Sequence, residues 1–145
     1  MKKYLLLLAL LPLAALSAQA QKVAEKQVPA AVLATFKQAH PTAKGVKWEK
    51  EDANYEAGYE QGEEELSVVI TPTGTLLETE TEMKVAQLPA PVRAALTSQY
   101  QGYKVSEAAR IVTAATGTTV YEAEVSRAGK KQDLLFNADG TVVKK

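Results

Sequence analysis

Cysteine is absent from this chain of 145 residues, and histidine and tryptophan each occur once. Without cysteine there is no disulfide, no thiolate nucleophile, no cysteine-ligated metal and no thiol for a lipid anchor. A single histidine, His40, excludes a multi-histidine zinc site and leaves His-based catalysis without a partner pattern. Net charge is also missing: 17 Lys and Arg balance 17 Asp and Glu, so no basic excess points to nucleic acid. No glycine-rich phosphate loop, Gly-x-Ser-x-Gly or His-Glu-x-x-His is present. What remains is an ordinary globular composition, 46% hydrophobic and 23% charged, sized for one domain or two small ones.

The longest apolar run, Leu5 to Leu16, is interrupted by Pro12 and is too short to span a bilayer core of ~30 Å. Lys2 and Lys3 precede it, and Ala18-Gln19-Ala20 follows with small residues at the −3 and −1 positions of a cleavage site. Residues 1–20 are therefore predicted to be a signal peptide, cleaved after Ala20 to leave Gln21 first. The expected location is periplasmic or secreted, with no membrane attachment after cleavage.

An internal repeat organises the rest. Val28-Pro29-Ala30-Ala31-Val32 aligns with Leu88-Pro89-Ala90-Pro91-Val92, sixty residues on. Tyr55-Glu56-Ala57 aligns with Tyr121-Glu122-Ala123, and Pro72-Thr73-Gly74-Thr75 with Ala138-Asp139-Gly140-Thr141, both at an offset of 66. The expected units are residues 22–84 and 85–145. The first carries 12 acids and 7 bases, the second 5 acids and 8 bases, so the halves differ in charge.

Each unit opens with a helix. Val28, Val32 and Phe36, and likewise Leu88, Val92 and Leu96, recur every four residues as one apolar stripe. Pro29 and Pro89 suit the first helical position, and His40-Pro41 ends the first helix. The remainder alternates with period two. A two-residue turn at Gly62-Glu63 sets Tyr55 opposite Ile70, Ala57 opposite Val68 and Tyr59 opposite Leu66. A turn at Ala128-Gly129 sets Tyr121 opposite Phe136 and Ala123 opposite Leu134. The fold class is thus α+β: a tandem repeat of α-β-β-β-β units, helices packed on one face of antiparallel sheet. Units this small are expected to pack together or share a sheet. Trp48, Tyr55, Ile70, Leu134 and Phe136 are expected in the core.

Ala43-x-x-Val46-x-Trp48-Glu49, Tyr55-Glu56-Ala57 and the turn Phe136-Asn137-Ala138-Asp139-Gly140 resemble the PepSY-like periplasmic proteins, also described as β-lactamase-inhibitor-protein-like. The resemblance covers nearly all of the chain after the signal segment. It departs at Thr71-Pro72-Thr73-Gly74, which lacks the acidic residue, and in the second copy, which lacks a tryptophan matching Trp48. It implies a tandem α/β repeat with an open sheet face for protein contact and no catalytic residues.

The same register places Glu56 across from Val69, Glu60 across from Glu65, Glu122 across from Leu135 and Glu124 across from Asp133, all on the face away from the helices. Like charges directly opposite destabilise a sheet, so the two acidic pairs point either to relief by nearby cations or to a surface awaiting a basic partner. These eight residues are the candidate protein-binding site. His40 reads as a helix-end surface residue. Asn137-x-Asp139-Gly140 is a fragment of a calcium loop that lacks the remaining ligands, and reads as a hairpin turn. No catalytic residue, metal ligand or cofactor is assigned. The expected function is a non-enzymatic binding or inhibitor-like module contacting an unidentified, basic protein partner. The alternative is a small-ligand or divalent-cation binder using the same carboxylates.

Overall fold

The computed structural model describes residues 21–143; the expected signal segment lies outside the described residues. The chain runs β1 (Gln21–Val23), α1 (Ala30–Ala39), β2 (Lys44–Glu51), β3 (Asn54–Gln61), β4 (Glu64–Ile70) and β5 (Leu76–Met83). It continues through α2 (Ala90–Gln99), β6 (Lys104–Thr113), β7 (Thr119–Arg127) and β8 (Lys130–Phe136). All eight strands form one antiparallel sheet whose spatial order is the sequence order. A 3₁₀ turn precedes each helix, at Glu25–Gln27 and Val85–Gln87.

Both hairpin registers expected from the turns occur: Tyr55 pairs Ile70, and Tyr121 pairs Phe136. Two elements differ from expectation. Four strands follow α1, but α2 is followed by three, and among the described residues the expected fourth is a single bridge between Phe136 and Val142. Pro29 and Pro89 sit one residue earlier than expected, as extended N-cap residues, and Pro91 occupies the first turn of α2. That placement suits a ring that locks φ but donates no hydrogen bond.

Alternation decides which face is buried. On one side of the sheet, Val28, Val32 and Phe36 pack with Trp48, Ala57, Tyr59, Val68 and Ile70. Leu88, Val92, Ala95 and Leu96 pack with Ala108, Ala123, Val125 and Phe136. Phe36 meets Trp48 and Tyr59 edge-to-face, each at 5.2 Å between centroids, a geometry worth ~0.5–1.5 kcal/mol beyond area burial. Of the expected core residues, Trp48, Ile70 and Phe136 are buried, while Tyr55 and Leu134 are half-buried at the margins. The turns after β4 and β8 press on the first turn of the helices. A Cβ at Gly140 would stand 2.5 Å from the Pro91 carbonyl oxygen, and φ there is +86°, so only glycine fits.

Candidate functional site

The helices cover one face of the sheet; the other carries the carboxylates. On β2–β4, Glu49 pairs Glu56, Glu56 pairs Val69, and Glu60 pairs Glu65. Strand β5 reads Glu78-Thr79-Glu80-Thr81-Glu82, so period two puts all three glutamates on this same side. Glu80 lies between Ser67 of β4 and Ile111 of β6, and Glu82 pairs Ala109. Ile111 and Ala109 are buried although they lie on the helix-free face. Ala109 in turn pairs Glu122, and Glu122 pairs Leu135.

This crowding acts on protonation. Burial, reinforced by Glu122, Glu56, Glu78 and Glu82, pushes the Glu80 carboxyl up to about 7. Burial also raises Glu56, against a lowering hydrogen bond from Ser67, with Glu51, Glu49 and Glu78 adding repulsion. Glu82 is raised by burial and by Glu65 and Glu107. An acid kept short of full ionisation near neutral pH in the middle of a surface is a mark of a site where charge is concentrated.

Beside this stretch a depression of about 330 Å³ opens over β2–β5. It is lined by Glu49, Glu56, Glu60, Glu65, Glu80 and Glu82, with Lys47, Gly58 and Ser67 among the remaining walls. Of the eight residues expected from sequence, it gathers Glu56, Glu60 and Glu65. Val69, Glu122, Glu124, Asp133 and Leu135 share the face but do not line the depression. Glu124 pairs Asp133 as expected, but it is ion-paired at 2.8 Å to Lys131 and accepts a 2.6 Å hydrogen bond from Ser106. Both contacts hold its carboxyl below the usual range. Sequence reasoning missed Lys47, Gly58 and the β5 glutamates, although their strict Glu-Thr alternation was a visible signal.

Two other candidates resolve structurally. His40 is half-buried rather than a free surface residue: its ring lies 4.7 Å from Tyr59 and 5.5 Å from Phe36, and its Nδ1 is hydrogen-bonded to the Tyr59 hydroxyl at 2.9 Å. Burial lowers its pKa, with a hydrogen bond to Gln61 acting against it. Asp139 accepts from the Thr141 N–H at 2.9 Å and from its hydroxyl at 2.6 Å, which commits that oxygen to closing a turn. Among the described residues no group of three or more His, Cys, Asp and Glu is placed to hold a metal. No described helix is long and apolar enough to cross a membrane.

The family described as "Putative beta-lactamase-inhibitor-like, PepSY-like" matches the sequence twice, over residues 15–78 and 72–144. The chain belongs to this family. The two matches overlap where β5 begins, the strand bonded on one side to β4 and on the other to β6. Among solved structures, a BLIP-like protein from Bacteroides fragilis is similar at 28% identity and a TM-score of 0.64, covering 80% of this chain and 84% of its own. A protein from Bacteroides eggerthii, one of the "putative periplasmic proteins", shares the fold at 22% identity and a TM-score of 0.71, covering 81% and 86%. A DUF2874 family protein from Bacteroides uniformis does so at 23% identity and a TM-score of 0.70, covering 80% and 86%. No curated protein matches.

Proposed function

We propose that this PepSY-like protein is a non-enzymatic binding module of the periplasm that docks a basic protein partner on its helix-free sheet face. The observation that carries the reading is the set of carboxylates facing outward from consecutive strands β2–β5, among which burial, reinforced by the neighbouring glutamates, pushes Glu80 up to about 7. A solvated face gains nothing from such repulsion, whereas a cationic partner converts it into attraction and steers encounter. The inhibitor-like description of the family supports protein contact as the activity. Glu56, Glu60, Glu65, Val69, Glu122, Glu124, Asp133 and Leu135 are the proposed contact residues, with Glu80 and Glu82 added from β5.

Residues 1–20 are proposed to direct export and to be removed after Ala20. An exported protein whose intact mass begins at Gln21 is expected; retention of Met1 to Ala20 overturns this part. The docking proposal is tested by capture from periplasmic extract with wild type and with a Glu56→Lys/Glu82→Lys double variant. The expected partner binds wild type at low salt, is released at about 0.5 M salt, and is lost with the double variant. A partner retained equally by both proteins refutes docking on this face.

A further inference from the structure

The interior glycine of β3 marks one place on this face. Gly58 has no left-handed backbone to accommodate, and a Cβ built there would meet nothing within 4 Å. Glycine inside a strand weakens it, and its usual reasons are a bulge, a bend or the close approach of a ligand. A bulge does lie opposite, between Lys44 and Lys47 of β2. The second repeat shows that the bulge does not need the glycine. It carries the same irregularity between Val105 and Glu107, and there the residue matching Gly58 at the offset of 66 is Glu124. The matching is structural as well, since Gly58 pairs Ser67 as Glu124 pairs Asp133.

The two repeats then differ in what fills this position. In the second, Glu124 occupies it and holds the ammonium of Lys131 at 2.8 Å. In the first, the carboxylate is replaced by Gly58, and the residue matching Lys131 is Glu65. The first repeat has exchanged a filled, internally neutralised position for an opening of about 330 Å³ with six carboxylates and Lys47 in its walls. Lys44 pairs Glu60 across β2 and β3, and Lys47 is the one cation among the residues that line the opening.

We infer that the depression over Gly58 is the anchor pocket for one arginine side chain presented by the protein partner. This rests on the reading of the helix-free face as a docking surface. Arginine suits the walls better than lysine because the carboxylates approach from four strands, and a guanidinium offers five donors in a planar fork where an ammonium is compact. The backbone amides of Gly58 and Ser67 report on the floor.

The test uses NMR titration of the exported chain with three blocked peptides: a Gly/Ser nonapeptide with one central arginine, the same peptide with neutral citrulline, and octalysine. The arginine peptide is expected to shift the amides of Gly58, Ser67 and Glu80 and to bind about tenfold more tightly than the citrulline peptide. Gly58→Leu, which fills the opening, should weaken the arginine peptide about tenfold while octalysine binding stays within about twofold. Lys47→Glu, which leaves the opening unfilled, should tighten the arginine peptide severalfold. Unchanged arginine-peptide affinity in either variant, with octalysine still bound, overturns the pocket and leaves the docking face standing. Failure of wild type to bind octalysine overturns both.

Discussion

The Tyr59 hydroxyl lies 2.9 Å from Nδ1 of His40, tying the end of α1 to the middle of β3. Tyr59 is otherwise buried, so Tyr59→Phe should cost about 1 kcal/mol, the net worth of one such bond. Because burial holds the His40 pKa below 6.5, its neutral form is favoured by folding. That contribution is present above the unfolded pKa and is lost as pH falls through the folded one. In His40→Gln the part of acid destabilisation arising just below pH 6.5 should disappear, as read by melting temperature against pH.

Glu80 works in the opposite direction. Its carboxyl is raised from 4.5 to about 7, so the folded state holds a proton that the unfolded state releases. Stability from this group therefore falls as pH rises between 4.5 and about 7, and Glu56 and Glu82, also raised, add the same sign. Glu124 and Asp139, both lowered, lose their contribution mainly below pH 4.5. Between pH 5 and 8, three raised acids against one histidine therefore predict a higher melting temperature at pH 5 than at pH 8. Glu80→Gln should flatten that slope and stabilise the fold at pH 8 by on the order of 1–2 kcal/mol, allowing for solvent screening. An unaltered slope would remove Glu80 as its source.

Phe136 has no exposed surface, and it packs under α2 with Leu88, Val92 and Val125. Phe136→Ala should cost roughly 3–5 kcal/mol through the cavity it leaves. Its neighbour on the same face, Leu134, is half-buried, and Leu134→Ala should cost clearly less. Urea midpoints for the two variants give the comparison; equal losses would contradict the burial pattern.

Ala128 holds φ at +51° in the turn between β7 and β8, next to Gly129 at +77°. A Cβ is strained there, so Ala128→Gly should stabilise by about 0.5–1 kcal/mol, and Ala128→Val should destabilise. The urea midpoint should move up for the first and down for the second.

The parts of this molecule legible in sequence are those set by short-range rules. Gly62-Glu63 and Ala128-Gly129 fix hairpins whose partners lie close in the chain, so Glu60 opposite Glu65 and Glu124 opposite Asp133 could be read directly. The pairing of β5 with β6 closes across a whole helix, and no turn announces its register. The β4–β5 register is itself shifted between Val69 and Ile70, so the Glu-Thr alternation alone does not show what Glu80 faces. Lys131 reaches Glu124 diagonally rather than from directly across, which strand alternation does not reveal. A helix-end position marks His40 as a surface residue, whereas its burial is decided by Tyr59 on a different element. Gly58 has no side chain to signal a role, and the depression above it is assembled from four strands, which alternation along one strand does not reveal.

Strand order that follows chain order has a kinetic meaning. Each strand from β1 to β8 finds its partner in the next one along, with no crossover between distant segments. Only the closures of β1 on β2 and of β5 on β6 must enclose a helix; the others need no more than a turn or short loop. The entropy of loop closure is thus spread over many small steps, and the β3–β4 and β7–β8 hairpins are ready starting points for assembly. A sheet of this width would otherwise fold slowly through distant pairings. Here it can grow outward from two local seeds and join where β5 meets its neighbours.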